Sequence, residues 1–308
     1  MELHRTDFRA MGSPCAIQLH AASADQASEW LAAATGEVER LERKYTRYRD
    51  DSLTAEINRH AGDPAGLLVD EETAALLDYA DTAFRQSEGR FDVTSGVLRR
   101  AWDFRSGRVP AQAEIEALLA CVGWQRVCWE RPRLVLPLPG MQIDFGGYVK
   151  EYAADRVAEL CRRRGARGGL VDLGGDLAVV GPHPDGRPWL VGVRDPEDGD
   201  RALRTLAVHA GGVATSGDYA RCMVVDGVHY GHLLDPRSGW PVCGPRSVTV
   251  LASHCLIAGT TSSIAMLSGD GAAAWLDRVG LPHVRVERDG RVFERWELLE
   301  TARLQAAS

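Results

Sequence analysis

The tightest constraint on this chain lies in Ile143 to Leu160, IDFGGYVKEYAADRVAEL, where a glycine pair separates two kinds of apolar periodicity. Met141 to Phe145, entered from a turn at Pro139 and Gly140, reads as a short strand. After Gly146 and Gly147, apolar residues recur at Val149, Tyr152, Ala153, Val157, Leu160 and Cys161, which is the stripe of an amphipathic helix. Arg162, Arg163 and Arg164 fall in its last turn, where cations suit the helix dipole, and Gly165 stops it. A glycine turn that opens a helix presents backbone N–H groups and partial positive charge to an anion, and Lys150 adds a full charge. Asp144, at the end of the strand, is placed to hold a metal or a polar ring edge. The same residues also describe an ordinary strand–turn–helix joint with a surface lysine and a capping aspartate.

The surrounding periodicities group by type. Phe8 to Leu19 reads as a strand with an irregularity at Met11 to Pro14, and Ala24 to Tyr45 as a long amphipathic helix. A short helix is expected from Ser52 through Ile57, then further helices over Glu71 to Phe84 and Ala111 to Cys121. A hairpin of Val127–Trp129 and Arg133–Pro137 follows. Gly169 to Gly181 reads as two strands meeting at Gly174 and Gly175. Further strands are expected at Trp189–Val193, Leu203–Val208, Gly212–Thr215, Cys222–Val225 and Ser247–Leu251. Helices near Ala258–Leu267 and Ala272–Val279 precede strands near Val284–Arg288 and Val292–Leu298. Without regular strand–helix alternation, the pattern favours an α+β fold over a doubly wound sheet, in one domain spanning residues 1–308.

Composition removes some functions. The net charge of −7 lacks the basic surface that binding nucleic acid requires. Seven cysteines with no C-x-x-C pair give neither a disulfide framework nor a zinc site, and most are expected in the core. No run approaches the ~20 apolar residues of a membrane span, and the N-terminus lacks a secretion signal, so a cytoplasmic protein is expected.

Polar clusters fall at element ends: Tyr48 to Ser52, Phe91 to Thr94, Asp144 to Lys150, and Thr215 to Gly239. In the last, His232 and Asp235 flank an apolar pair, and Asp235-Pro236-Arg237-Ser238-Gly239 also suits a plain turn. No G-x-S-x-G elbow, G-x-G-x-x-G or P-loop occurs. Spacing alone supports an α+β protein with an anion-binding turn.

Together the clusters resemble the ApbE-type FAD:protein FMN transferase family from Met11 to about Gly269. The resemblance rests on Met11-Gly12-Ser13; Tyr48-Arg49-Asp50-Asp51-Ser52 with Asn58; Phe91-Asp92-Val93-Thr94 through Trp102; Asp144-Phe145-Gly146-Gly147 with Lys150, Tyr152 and Asp155; and GLVDLGGD with ATSGDY…HLLDPRSG. It implies a duplicated, T-fold-like core of mixed or antiparallel sheets with packed helices, holding FAD in a crevice. It further implies Mg²⁺ at the pyrophosphate and transfer of FMN to a Thr or Ser of a partner flavoprotein, releasing AMP. By position, Met11, Tyr48, Arg90, Phe91, Asp92, Asp144 and Lys150 would contact FAD. The Gly147 carbonyl and Ser263 would be metal ligands, and His232 the catalytic base.

One departure stands against this. The family usually reads Ala-Asp-Ala-x-x-Thr on the C-terminal helix, with the Asp and Thr binding Mg²⁺. Here Gly259 stands at the Asp position and Ser263 at the Thr position, while Glu151 follows Lys150 where the family usually has Gly. A hard cation prefers anionic oxygen, and either Glu151 or Asp218 is a candidate replacement. An FAD-binding protein without transferase activity and an FAD pyrophosphatase are the alternatives.

Overall fold

A computed structural model describes residues 1–199, 201–219 and 222–295. The strands are β1 (Glu2–Ala10), β2 (Ser13–Ala21), β3 (Leu67–Leu68), β4 (Cys128–Glu130), β5 (Arg133–Val135), β6 (Gly169–Leu173), β7 (Asp176–Gly181), β8 (Trp189–Arg194), β9 (Ala202–Val208), β10 (Gly212–Gly217), β11 (Cys222–Val225), β12 (Val228–Gly231), β13 (Ser247–Ala252), β14 (His283–Val286) and β15 (Val292–Arg295). The α-helices are α1 (Ala24–Tyr45), α2 (Leu53–Arg59), α3 (Glu71–Gln86), α4 (Gln112–Leu119), α5 (Val149–Arg163), α6 (Cys255–Leu267) and α7 (Ala272–Val279).

One antiparallel sheet dominates, in the order β1-β2-β6-β7-β10-β13-β14-β15. Its inner strands are buried on both faces, and their side chains alternate between two cores. Ala178 and Val180 point with Ile17, Leu19, Val171, Val248 and Val250 towards α1, α5 and α6. Leu177 and Val179 point the other way, with Val213 and Val286, onto Trp189, Val191, Leu206 and Val208 of the β8–β9 ribbon. Such two-sided burial explains why these strands read as unbroken apolar runs. The α+β expectation holds: antiparallel sheets with helices packed on them.

Ser23 caps α1 through Gln26 N, and Trp30, Ala34, Val38, Leu41 and Tyr45 form the buried stripe that its periodicity foretells. α6 begins three residues earlier than its apolar spacing suggests, because Asp155 of α5 reaches across and accepts from Cys255 N (2.8 Å) and Leu256 N (2.9 Å). A cap supplied from another helix leaves no local signature.

Three expectations need correction. Met11 to Pro14 is not an irregularity within one strand but the turn of the β1–β2 hairpin, with Met11 at φ 51° and Gly12 at φ 72°. Positive φ at both positions is the turn whose twist suits a two-residue hairpin. Met141 to Phe145 is not a strand. Ile143 instead exchanges hydrogen bonds with the Asn58 side chain (2.6 and 3.1 Å), and Asp144 N donates to Val93 O (2.9 Å). Only Cys15, Cys161 and Cys255 of the seven cysteines are buried; all are free thiols, and Cys128 and Cys243 are exposed. The expected closing strand is seen as Val292–Arg295, and its remainder, 296–298, lies outside the described residues. Among the described residues, no helix is long and apolar enough to cross a membrane.

Candidate active site

Because β2 pairs with β6, with Cys15 opposite Leu173, the Met11–Gly12 and Gly174–Gly175 turns lie at the same end of the sheet. They nearly touch: a methyl group on Gly174 would stand 2.6 Å from Ser13 Cβ and 3.6 Å from Lys150 Nζ. Only glycine fits there. The start of α5 faces these tips, and a single 3-10 turn, Phe145–Gly147, precedes it.

Lys150 forms an ion pair with Asp176, the first residue of β7, which is 4 % exposed. Thr215 N of β10 donates to the other oxygen of Asp176 (3.2 Å). Burial would lower the Lys150 ammonium, but Asp176 and then Glu151 outweigh it and hold it above its usual range. Glu151 is 8 % exposed, and its Oε2 has no hydrogen-bond partner. Burial first, then the nearby Asp176 charge, pushes its carboxyl well above the usual range. On α6, opposite Glu151, stands Gly259; beyond it Ser216 Oγ of β10 meets Ser262 Oγ (2.8 Å) and Ser263 Oγ (3.0 Å).

A second group of expected residues adjoins the glycine pair. Asp144 Oδ1 accepts from Gly146 N (2.8 Å), and Oδ2 accepts from Arg47 Nη1 (2.9 Å), which also donates to Gly96 O (2.9 Å). Neighbouring Tyr48 is 83 % exposed. Asp92 is buried and fully engaged: Oδ1 accepts from Thr94 N and Oγ1 (2.7 and 2.6 Å), and Oδ2 accepts from Trp124 N (3.0 Å). Burial pushes its carboxyl up despite these bonds. Phe91 packs edge-on against Tyr148, with its ring 3.8 Å from where a Gly147 side chain would begin. Arg90 donates to Ser87 O and Glu88. Met11 N donates to Glu42 (2.6 Å).

His232 follows β12 and is partly buried. The turn after it closes through Gly239 N to Asp235 O (2.7 Å), and Trp102 Nε1 donates to Gly239 O (2.8 Å). Leu98 of the 3-10 segment Ser95–Arg100, whose Gly96 abuts Asp144, lies 3.4 Å from where a Gly239 side chain would begin. Of the expected residues, Asp144, Phe91 and Lys150 adjoin the start of α5 directly, and Gly96 links the 3-10 segment to Asp144.

A sequence model of the ApbE family matches residues 11–284. The chain belongs to the ApbE family. Its relatives include the FAD:protein FMN transferase of Klebsiella pneumoniae, 32 % identical over 80 % of this chain and 76 % of that one. That of Treponema pallidum is 34 % identical over 71 % of this chain and 68 % of its own length. In structure, the ApbE protein of Thermotoga maritima superposes with a TM-score of 0.89 at 30 % identity, covering 97 % of this chain and 99 % of that one. The flavin transferase ApbE of Vibrio cholerae gives 0.85 at 25 % identity, covering 95 % and 97 %.

Within this ApbE chain the structure adds Arg47, Asp176 and Ser216 to the neighbourhood of the expected residues; their sequence signals are that Arg47 precedes Tyr48, Asp176 closes GLVDLGGD, and Ser216 lies in ATSGD. Asp218 is excluded as a spare carboxylate, because Arg246 (3.3 Å) and Arg288 both pair with it. Among the described residues no three His, Cys, Asp or Glu form a complete metal cage. The donors at hand are carboxylate, hydroxyl and carbonyl oxygens. That set fits a hard cation which takes few protein ligands and completes its shell with phosphate and water.

Proposed function

We propose that this chain is an FAD:protein FMN transferase, moving FMN from FAD to a Ser or Thr hydroxyl of a partner flavoprotein and releasing AMP. The observation that carries the reading is the convergence of Lys150, Asp176, Glu151 and the serine hydroxyls beside two glycine hairpin tips, within a fold shared with flavin transferases.

In this reading the acceptor oxygen forms a bond to the FMN-side phosphorus, the bridging P–O bond to AMP breaks, and His232 takes the hydroxyl proton. Lys150 neutralises phosphate charge, with Asp176 fixing where its ammonium stands. Exposed Tyr48, Met11 at the hairpin tip, Arg90, Phe91 and Asp144 line the FAD crevice, whereas Asp92 holds the Phe91–Thr94 loop in shape. Gly147 O and Ser263 Oγ would hold Mg²⁺, which when bound supplies charge neutralisation at the pyrophosphate. The free thiols support a reducing, cytoplasmic setting.

The test is incubation of the protein with FAD, Mg²⁺ and a Ser/Thr acceptor peptide, reading AMP and flavin-labelled peptide. Both products are expected. FAD bound without either product would instead select a carrier, and AMP without labelled peptide a pyrophosphatase. His232→Ala should still bind FAD but transfer about 10²- to 10⁴-fold more slowly; an unchanged rate removes His232 from the mechanism.

A further inference from the structure

Glu151 and Gly259 depart from the family pattern at two positions far apart in sequence, and the fold brings them face to face. A methyl group at Gly259 would lie 2.5 Å from Glu151 Cγ and 2.8 Å from its Oε1. The Glu151 side chain thus fills the space that any side chain at 259 would need. The carboxylate the family carries on the C-terminal helix has a counterpart here on α5, in the volume vacated at 259.

We infer that Glu151 supplies the carboxylate ligand of this chain's divalent-cation site, from α5 rather than α6. The inference rests on the transferase reading for the existence of that site, and extends it by naming the residue that completes it.

Three further observations support the assignment. Glu151 Oε2 is buried and unpartnered, an arrangement that costs free energy unless a ligand satisfies it. Lys150 pairs with Asp176, which leaves the buried Glu151 carboxyl with no basic side chain of its own among the described residues, a place that a divalent ion would fill. Ser263, one helical turn beyond Gly259, shares Ser216 with Ser262, which brings hydroxyl oxygens to the same face of α6. Asp218, the other candidate, is tied to two arginines.

Gly259→Asp alone is therefore no repair. It crowds Glu151 and should lower the melting temperature. The exchange has to be made at both positions together.

The test measures Mn²⁺ binding by the loss of the free-ion electron paramagnetic resonance signal, with and without FAD, and FAD binding by flavin fluorescence. Glu151→Gln keeps the shape and removes the charge. It should fold with a wild-type circular dichroism spectrum, with Mn²⁺ affinity about 10- to 100-fold weaker both with and without FAD. The double variant Glu151→Gly/Gly259→Asp should recover most of that loss. Wild-type Mn²⁺ affinity in Glu151→Gln overturns the assignment. So does a folded, FAD-binding double variant that stays as weak as Glu151→Gln. Wild-type protein that fails to bind FAD sinks the transferase reading instead, and the Mn²⁺ comparison without FAD still decides this one.

Discussion

The two sides of the candidate site, which face each other as walls in the proposed reading, are built from the same residue types but use them differently. On the wall formed by Asn58, Asp92 and Asp144, polar side chains hold backbone: Asn58 clamps Ile143, Asp92 gathers Thr94 and Trp124, and Asp144 ties Gly146 to Arg47. On the wall formed by β7, α5 and α6, ionisable groups face one another. Lys150 meets Asp176, and Glu151 keeps an oxygen with no partner. Carboxylates engaged by their own loops set shape. Carboxylates left buried with spare valence are where a ligand's charge belongs.

That contrast predicts its largest effect at Lys150. Lys150→Met removes the only cation paired with Asp176 among the described residues and leaves two buried carboxylates together. AMP release should fall about 10²- to 10³-fold, on the scale of losing one charge-stabilising donor. Stability should fall by about 3 kcal/mol, the cost of stranding a buried charge. Urea unfolding and AMP quantification measure the two. A variant that folds like wild type and releases AMP at the wild-type rate would erase the distinction between the walls.

A middle effect is expected on the shaping side. A methyl group at Gly239 would lie 2.4 Å from Ile115 Cγ2, and Gly239 also accepts the Trp102 indole N–H. Gly239→Ala should therefore lift the Asp235–Gly239 turn off its seat, costing about 1–3 kcal/mol as an overpacked contact. Transfer should slow because His232 lies just before that turn, while FAD binding changes little. Equal losses in FAD binding and transfer would show that the turn shapes the proposed flavin site as a whole and not His232 in particular.

How much of this the sequence reveals follows from whether the cause is local. The α1 span is legible to the residue, because its cap and its stripe are its own. The hairpin at Gly174–Gly175 is legible because glycine pairs mark turns whatever packs around them. The start of α6 is not, since its cap belongs to Asp155, and Met141 to Phe145 misleads because alternation persists while Asn58 and Val93 take its hydrogen bonds. At the site, the motif residues are legible as a set but not their division of labour, since Asp92 and Asp144 read alike until their partners are seen. In sequence Glu151 and Asp218 are equal candidates to replace the carboxylate missing at Gly259, and only the contact of Glu151 with Gly259 and the arginines on Asp218 separate them.

The smallest effect tests the contrast with a carboxylate outside the candidate site. Glu72 of α3 is half-buried where Glu151 is buried, and Arg40 (2.7 Å) and Lys44 (2.8 Å) both reach it. Burial pushes Glu72 up, yet the hydrogen bonds from Arg40 and Lys44 prevail and hold it at about 2. A folded-state value below the unfolded value of about 4.3 makes the ionised form stabilising. That contribution is full above the unfolded value and is lost as pH falls towards about 2. Glu72 is partly exposed, so screening should keep it under about 1 kcal/mol. The melting-temperature gap between wild type and Glu72→Gln should be present at neutral pH and narrow near about pH 3. A gap that ignores pH would mean that Glu72 acts through packing, and that counting cations around a buried carboxylate does not separate the stabilising ones from those awaiting a ligand.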